Sequence, residues 1–600
     1  MKKVSAIFLF VPFLFVCSCA GAGGGGGDSS STSYDTTVSI SVSATWSYSS
    51  SNDIFVLNEN VKSLTIEGDI AGKTLYCAEV NASASDIGTS YIKYISSATA
   101  RSVSDGEMPE VPDFSDSSLW AGFSHPHFYD YEPPAVSFAS SSRTIDNPAS
   151  PGTKANQISS YVDGSTTKTL WIAKSESEYD TAKATLRAHN GTCNVWVVDD
   201  WYTSGTESAT DGKVNSSTAR KFADAFAKLY PVVRNVFGEE SDKIYYPDSS
   251  GWIQKEMNYL SDTGTKVNIV IYDLFGDQKK GSTLGFFNGV DYYPTYDDFK
   301  GICGYEVPEL KEKLYSNEGK YFYVDSFYAI SEPNMIVSTL AHEFQHMIHF
   351  CVKKMKGGLD SDTNFNEMLS MLCEDMMQSF LTSNGYTISD EDSPKGRLVQ
   401  FMIQYYGLGI RSFKSGSALD YANAYAFGSW LCRQYGGAAL VKEMMTNGKT
   451  NNDCIVAAVN SISGKSYTFE DLFAQFIKAC YGKDSEYTFN RDAAKTLTCS
   501  SGGTTYAYPM TKIDLWGDSM YSLANVGGSE SAADYFDSEY KRLGPAVFTY
   551  NALHELPATY GMFLKRVASI KEGGSSSAYL LFTSKSGVTK PGMKLFLYIK

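Results

Sequence analysis

A chain of 600 residues exceeds what one hydrophobic core usually serves, so roughly two to four domains are expected. A hydrophobic content of 43% suffices for globular cores, and abundant Tyr (41) with scarce Pro (18) favours substantial β-structure. The net charge of −16 argues against nucleic acid as a partner, because such binders need a basic footprint.

The first residues read as an export signal. "MKK" gives a positive start, and "VSAIFLFVPFLFV" is an apolar run too short for a membrane span and broken by Pro12. Ser18 before Cys19 fits a lipoprotein signal over residues 1–19, with the Gly/Ser run of 20–34 as a flexible tether. The expected location is therefore the cell envelope through a lipid on Cys19, or simple secretion. "TVSISVSATW" (37–46) alternates, with Val38, Ile40, Val42, Ala44 and Trp46 on one face of a strand. "KSLTIEGDIAGKTLYCAEV" (62–80) reads as two more strands around Gly68 and Gly72. No useful amphipathic helix appears before about residue 175, so 35–115 is expected to be an N-terminal all-β domain, followed by a linker over 116–160.

From 168 strands and helices alternate, and 161–498 reads as one α+β domain: a mixed sheet, a central helix and a helical C-terminal part. "KTLWIA" is a strand, "SESEYDTAKATLRAHN" (175–190) a helix, and "CNVWVVDDW" a strand. "TARKFADAFAKLYPVVRNVF" puts Phe222, Phe226, Leu229 and Val233 on one helical stripe. "KVNIVIYDL" (266–274) is a buried strand, "GSTLGFFNGVDYY" an exposed strand or hairpin, and "KYFYVDSF" (320–327) a strand. Beyond "CSSGGTTYAYPM" (499–510), short strands return and suggest a C-terminal all-β domain over 505–600. Nine cysteines lie past the signal, an odd number with no Cys-x-x-Cys pair, which argues against a zinc–thiolate site. Cys351, Cys373, Cys432 and Cys480 sit in helical patterns and suit buried hydrophobes as well as bridges.

"LAHEFQHMIH" (340–349) carries the chemistry. Pro333 suits a first helical turn, and Ile336, Leu340, Phe344 and Met347 keep one face apolar. His342 and His346 then stand one turn apart and can bind one zinc ion. Glu343, beside the first His, can act as general base on a zinc-bound water, whose pKa the ion lowers to about 7. His349, two turns from His342, is read as a packing or supporting residue. A third ligand is needed. His125 and His127 lie in an upstream loop, His189 at a helix end, and His554 far downstream, so "FNEMLSMLCEDMMQSF" (365–380), with Glu367, Glu374 and Asp375, is the better source.

"HEFQH … NEMLSMLCED" resembles the gluzincin zinc metallopeptidases, most closely the hyicolysin family, over roughly residues 165–480. The resemblance implies a zincin-like domain in which Glu367, preceded by Asn366 and followed three on by Ser370, completes a one-zinc site. It also implies that Glu374 orients a His. Met368 stands where many relatives have Gly, Met371 replaces the thermolysin-like Asp, and the thermolysin-like downstream His is missing. An oxyanion donor must then come from a Tyr or Arg. Aminopeptidase-related gluzincins carry a Tyr at a place comparable to Tyr421 in "DYANAYAFGSWLCRQYGG" (420–437), with Tyr425, one turn on, the alternative.

The function expected is an exported zinc-dependent endopeptidase acting on protein or peptide substrates. No Gly-x-Met-x-Asn amine-binding segment precedes the zinc helix, and "GFFNGVDYY" suits an edge strand that pairs with an extended substrate. The alternative is a surface adhesin or binding protein with a structural or inactive zinc site. Calcium is not indicated, and oligomeric state is not legible in the sequence.

Overall fold

The computed structural model describes residues 37–95 in part, 161–481 nearly throughout, and 497–600 in part. The expected signal, tether and linker lie outside the described residues. The N-terminal strands are β1 (Thr37–Val42), β2 (Ile54–Leu57), β3 (Ser63–Gly68), β4 (Thr74–Asn81), β5 (Ile87–Gly88) and β6 (Tyr91–Ile95).

A mixed α/β region follows. It opens with β7 (Thr167–Ala173), β8 (Tyr179–His189), β9 (Cys193–Val198) and α1 (Ser216–Phe237). The hairpin β10 (Lys243–Asp248) and β11 (Gly251–Glu256) precedes β12 (Val267–Tyr272) and β13 (Gly285–Phe287). Short helices α2 (Tyr296–Cys303) and α3 (Pro308–Lys311) lead to β14 (Tyr321–Asp325), α4 (Ser326–Ser331) and α5 (Pro333–His349). Six helices complete the region: α6 (Thr363–Ser383), α7 (Leu398–Gln404), α8 (Ala418–Gln434), α9 (Ala438–Thr446), α10 (Asn451–Ser463) and α11 (Phe469–Tyr481).

One six-stranded sheet has the order β13-β14-β12-β9-β8-β7. β9, β12 and β14 are parallel and antiparallel strands flank them. β9, β12 and β14 are buried at every position, as strands covered on both faces must be, which explains their continuous apolar runs. Helix α1 is capped by Asn215, whose side chain accepts from the N–H groups of Ser217 and Thr218. Its stripe Phe222, Phe226, Leu229 and Val233 is buried, and Phe226 meets Phe344 of α5 edge-on at 5.0 Å.

Two expectations fail here. The helix expected over 175–190 is not found: Tyr179–His189 is a strand antiparallel to both neighbours, with a bulge between Leu186 and Ala188. Ala184 and Leu186 pack into one core cluster and, past the bulge, Ala188 into another, and pairing on both edges overrides the helical propensity of Ala, Lys and Arg. The segment containing β13 is a sheet edge but is not exposed. Phe286 stacks on Phe275 and Tyr323, and Phe287 packs on Tyr292 and Phe350.

The ends of the chain also differ from two separate β-domains. After hairpin β15 (Thr498–Ser501) and β16 (Thr504–Ala507) come β17 (Glu555–Leu556), β18 (Gly561–Ser569), β19 (Ser577–Thr583) and β20 (Met593–Ile599). The sheets run β1-β3-β19-β6 and β18-β4-β20-β2, and β17 pairs with β5. Both ends thus build one composite β-unit. β4 is buried at seven of its eight positions, so it needs covered faces and two neighbours, and C-terminal strands supply both neighbours. A buried Lys565–Glu79 pair, 2.7 Å apart, joins β18 to β4.

Candidate active site

Helix α5 begins at Pro333, whose missing N–H costs nothing in a first turn. Every residue from Ile336 to His349 is buried. Antiparallel packing of α6 on α5 brings a second run of polar groups to the face carrying His342 and His346. The two imidazole rings lie 4.7 Å apart. Glu367 Oε2 sits between them, 3.3 Å from His342 Nε2 and 3.6 Å from His346 Nε2.

The three ligand atoms lie within 4.8 Å of one another and all three residues are buried. Ligands of a tetrahedral ion with bonds of about 2.1 Å lie about 3.4 Å apart, so these separations suit a metal. Two imidazole nitrogens and one carboxylate oxygen are a donor set that zinc accepts. Charge points the same way. Three buried carboxylates, Glu343, Glu367 and Glu374, crowd two buried imidazoles. Burial pushes the Glu343 carboxyl up to about 8, with Glu367 and Glu374 adding to it against His342. Burial would also raise Glu367, yet the imidazoles of His346 and His342 hold it below the usual carboxylate range. Burial lowers His346. A dication is the natural neutraliser of such a cluster.

The outer contacts orient the donors. His342 Nδ1 lies 2.7 Å from Glu374 Oε1, and Ser338 Oγ donates to Glu374 Oε2 at 3.1 Å. His346 Nδ1 lies 3.2 Å from Asn366 Oδ1 and 3.0 Å from Ser370 Oγ. Both Nε2 atoms are thereby turned to the common centre. Glu343 accepts from the backbone N–H of Phe287 in β13. This approach requires Gly285: a Cβ there would lie 2.8 Å from Thr339 Cγ2 and 3.3 Å from Glu343 Cγ. His349 stays outside the cluster, with Nε2 2.8 Å from Ser361 Oγ. His189 ends β8 and pairs with Asp163 at 2.6 Å.

The structure separates the two tyrosines. Tyr421 Oη lies 3.4 Å from Glu367 Oε1, at the His342–His346–Glu367 cluster. Tyr425 Oη donates to Asp375 Oδ2 at 2.8 Å, and Arg433 grips the same carboxylate with two N–H groups at 2.8 and 3.0 Å. Asp375 is thus half of a buried ion pair, engaged by Arg433 and Tyr425 and not by the His342–His346–Glu367 cluster.

A cleft of about 580 Å³ opens beside the cluster. Leu284, Ser338, Thr339, Glu374, Arg397 and Val399 line it. The Arg397 guanidinium lies 5.1 Å from the Tyr421 ring centre. Sequence reasoning missed Arg397, Gly285, the Asp375–Arg433 pair and the contact of Asn366 with His346. Only Ser338 had a local signal, since it stands one helical turn before His342. The eight described cysteines are all free thiols.

A family model described as Peptidase M30 matches residues 175–487. Among characterised proteins, the chain is similar to the neutral metalloprotease ShpI of Staphylococcus hyicus. The two are 23% identical over 377 residues, which cover 60% of this chain and 70% of that protein.

Proposed function

The chain belongs to the peptidase M30 family and is a metalloprotease, and from that premise we propose that it is an exported zinc endopeptidase with a zincin-like catalytic domain. His342, His346 and Glu367 are the ligands, Glu343 is the general base and Tyr421 the oxyanion donor. The observation that carries this reading is the convergence of three buried donor atoms around one point with Glu343 beside them.

A zinc ion held there supplies Lewis acidity to water and to the scissile carbonyl. Glu343, beside the ligand atoms, takes the proton of the attacking water and passes it to the leaving amine. Tyr421 donates a hydrogen bond to the oxygen that gains charge in the transition state. Glu374 and Asn366 hold the imidazoles in orientation. Substrate enters the cleft between Leu284, next to the sheet edge, and Arg397. A cleft flanked by a sheet edge accepts a chain that continues on both sides of the cut bond, which favours an endopeptidase.

The test is metal content and proteolysis together. Wild-type protein should hold one zinc and lose casein digestion on chelation. Glu343→Gln should keep zinc and lose at least about 10²-fold in turnover. His346→Ala should lose stoichiometric zinc. Wild-type turnover in zinc-loaded Glu343→Gln would remove Glu343 from the mechanism, and zinc retained without any proteolysis would return the chain to the binding-protein alternative. Export is supported by the apolar run behind "MKK" and the Ser18–Cys19 junction. A fatty-acid label should enter wild-type protein and be absent from Cys19→Ala; label persisting in that variant excludes the site.

A further inference from the structure

We propose that the composite β-unit is the outer support of the metal centre, acting through the turn at 557–561, the segment 409–412 and Asn364 on the helix that carries Glu367. The inference rests on the reading of Glu367 as a ligand.

The turn is unusual in itself. Thr559 and Tyr560 are consecutive non-glycine residues with φ of 61° and 65°, a conformation that a β-branched residue such as Thr adopts only where its surroundings impose it. Those surroundings come from both ends of the chain. Asn81 Nδ2 donates to Leu556 O at 3.0 Å, and Asp86 Oδ1 accepts from the Ala558 N–H at 2.7 Å. The N–H groups of Thr559 and Tyr560 donate to Ser83 O and Asn81 O at 2.9 and 2.7 Å. The Tyr560 ring packs on Phe469 and Phe473 of α11.

Held this way, the turn aims its carbonyls at the catalytic region. Thr559 O accepts from the Arg411 N–H and Tyr560 O from the Ile410 N–H, each at 3.2 Å. Gly409 makes the approach possible: a Cβ there would lie 2.1 Å from Ala558 O and 2.4 Å from Thr559 O. The next link is Asn364, 1% exposed in the first turn of α6. Its amide donates to Ile410 O at 3.2 Å and Ser412 O at 2.8 Å, while the Arg411 guanidinium donates to its carbonyl oxygen. Arg411 Nε also donates to Asn452 Oδ1 at 3.0 Å, tying α10 to the same point. Glu367 stands one helical turn after Asn364. A helix turn is stiff, so displacement at Asn364 reaches Glu367 nearly undiminished, whereas a ligand must lie within about 0.2 Å of its ideal distance. The β-unit is thus a positioning element for the zinc ligand and not an appended binding module.

The experiment measures zinc affinity by chelator competition on the full-length protein, alongside the thermal midpoint. Gly409→Ala forces the turn and the segment apart without adding a group near the metal. Asn364→Ala removes the link itself. Arg411→Lys, the mildest variant, keeps the charge but cannot reach Asn364 and Asn452 together. Each should weaken zinc binding about tenfold or more, as loss of supporting contacts does at metal sites. Leu595→Ala, in the core of β20 and outside the turn, should lower the thermal midpoint and keep wild-type zinc affinity. Wild-type affinity in the folded linker variants overturns the proposal, and so does an equal loss in Leu595→Ala. A wild-type protein that binds no zinc removes the underlying ligand assignment as well, which keeps the two failures distinguishable.

Discussion

Replacing Tyr421 and Tyr425 one at a time by Phe separates two roles that adjacent turns of one helix place side by side. The Tyr421 hydroxyl lies 3.4 Å from Glu367 Oε1, beyond the usual range for such a bond, so its loss should cost the folded state under about 1 kcal/mol. In the transition state the same hydroxyl would meet a developing oxyanion, where removing one donor costs about 2.7–4 kcal/mol, or 10²–10³ in kcat. KM should change little, because the ground-state carbonyl uses the donor weakly. Tyr425 gives the opposite pattern. Its hydroxyl donates at 2.8 Å to an Asp375 carboxylate already held by Arg433, all of it buried. Loss of a bond to a charged acceptor costs about 1.5–3 kcal/mol of stability and should leave kcat alone. Steady-state kinetics on a peptide, zinc content and urea midpoints resolve the pair. Tyr421→Phe that keeps kcat within about threefold, under 1 kcal/mol, would refute the assignment. Tyr421→Phe that sheds zinc would make the phenol a support for Glu367 instead.

Glu374→Ala removes the acceptor at His342 Nδ1 and should weaken zinc binding about 10–100-fold in chelator competition. Glu374→Gln keeps a neutral acceptor and should fall between, since charge-assisted bonds are about twice as strong; wild-type affinity in both would leave packing alone to orient His342. The stability contributed by Asp291 and Asp325 should fall as pH rises from about 4 to about 7. Burial pushes Asp291 and Asp325 each from 3.8 up to about 7, so the folded chain keeps protons that the unfolded chain has released. Their contribution is complete below about pH 4 and is lost as pH climbs through the folded value. Urea midpoints at pH 5 and pH 8 should therefore differ, and Asp291→Asn should narrow the gap; an unchanged gap in that variant contradicts the account.

What the sequence determined by itself is local. The helix period places His342 and His346 on one face whatever surrounds them, and the same period gives α1 its buried stripe. Apolar runs identify β9 and β14 as strands and β12 as a buried one; that all three are covered on both sides is a finding of the fold. The pairing of Glu367 with those imidazoles was legible only through the family resemblance of its motif, because spacing along a chain limits but does not fix where a returning helix lands. Tertiary structure decided the rest. β8 is a strand because β7 and β9 offer hydrogen bonds on both its edges, a fact absent from its own residues. The two β-rich ends read as separate domains because alternation reveals which side chains face inward and not which strand lies alongside; β4 finds its partners in β18 and β20, near the far end of the chain. Tyr421 and Tyr425 sit on a helix buried over nearly its whole surface, so its pattern carries no apolar stripe to indicate a direction. Only the packing of α8 against α6 turns one hydroxyl toward Glu367 and the other toward Asp375.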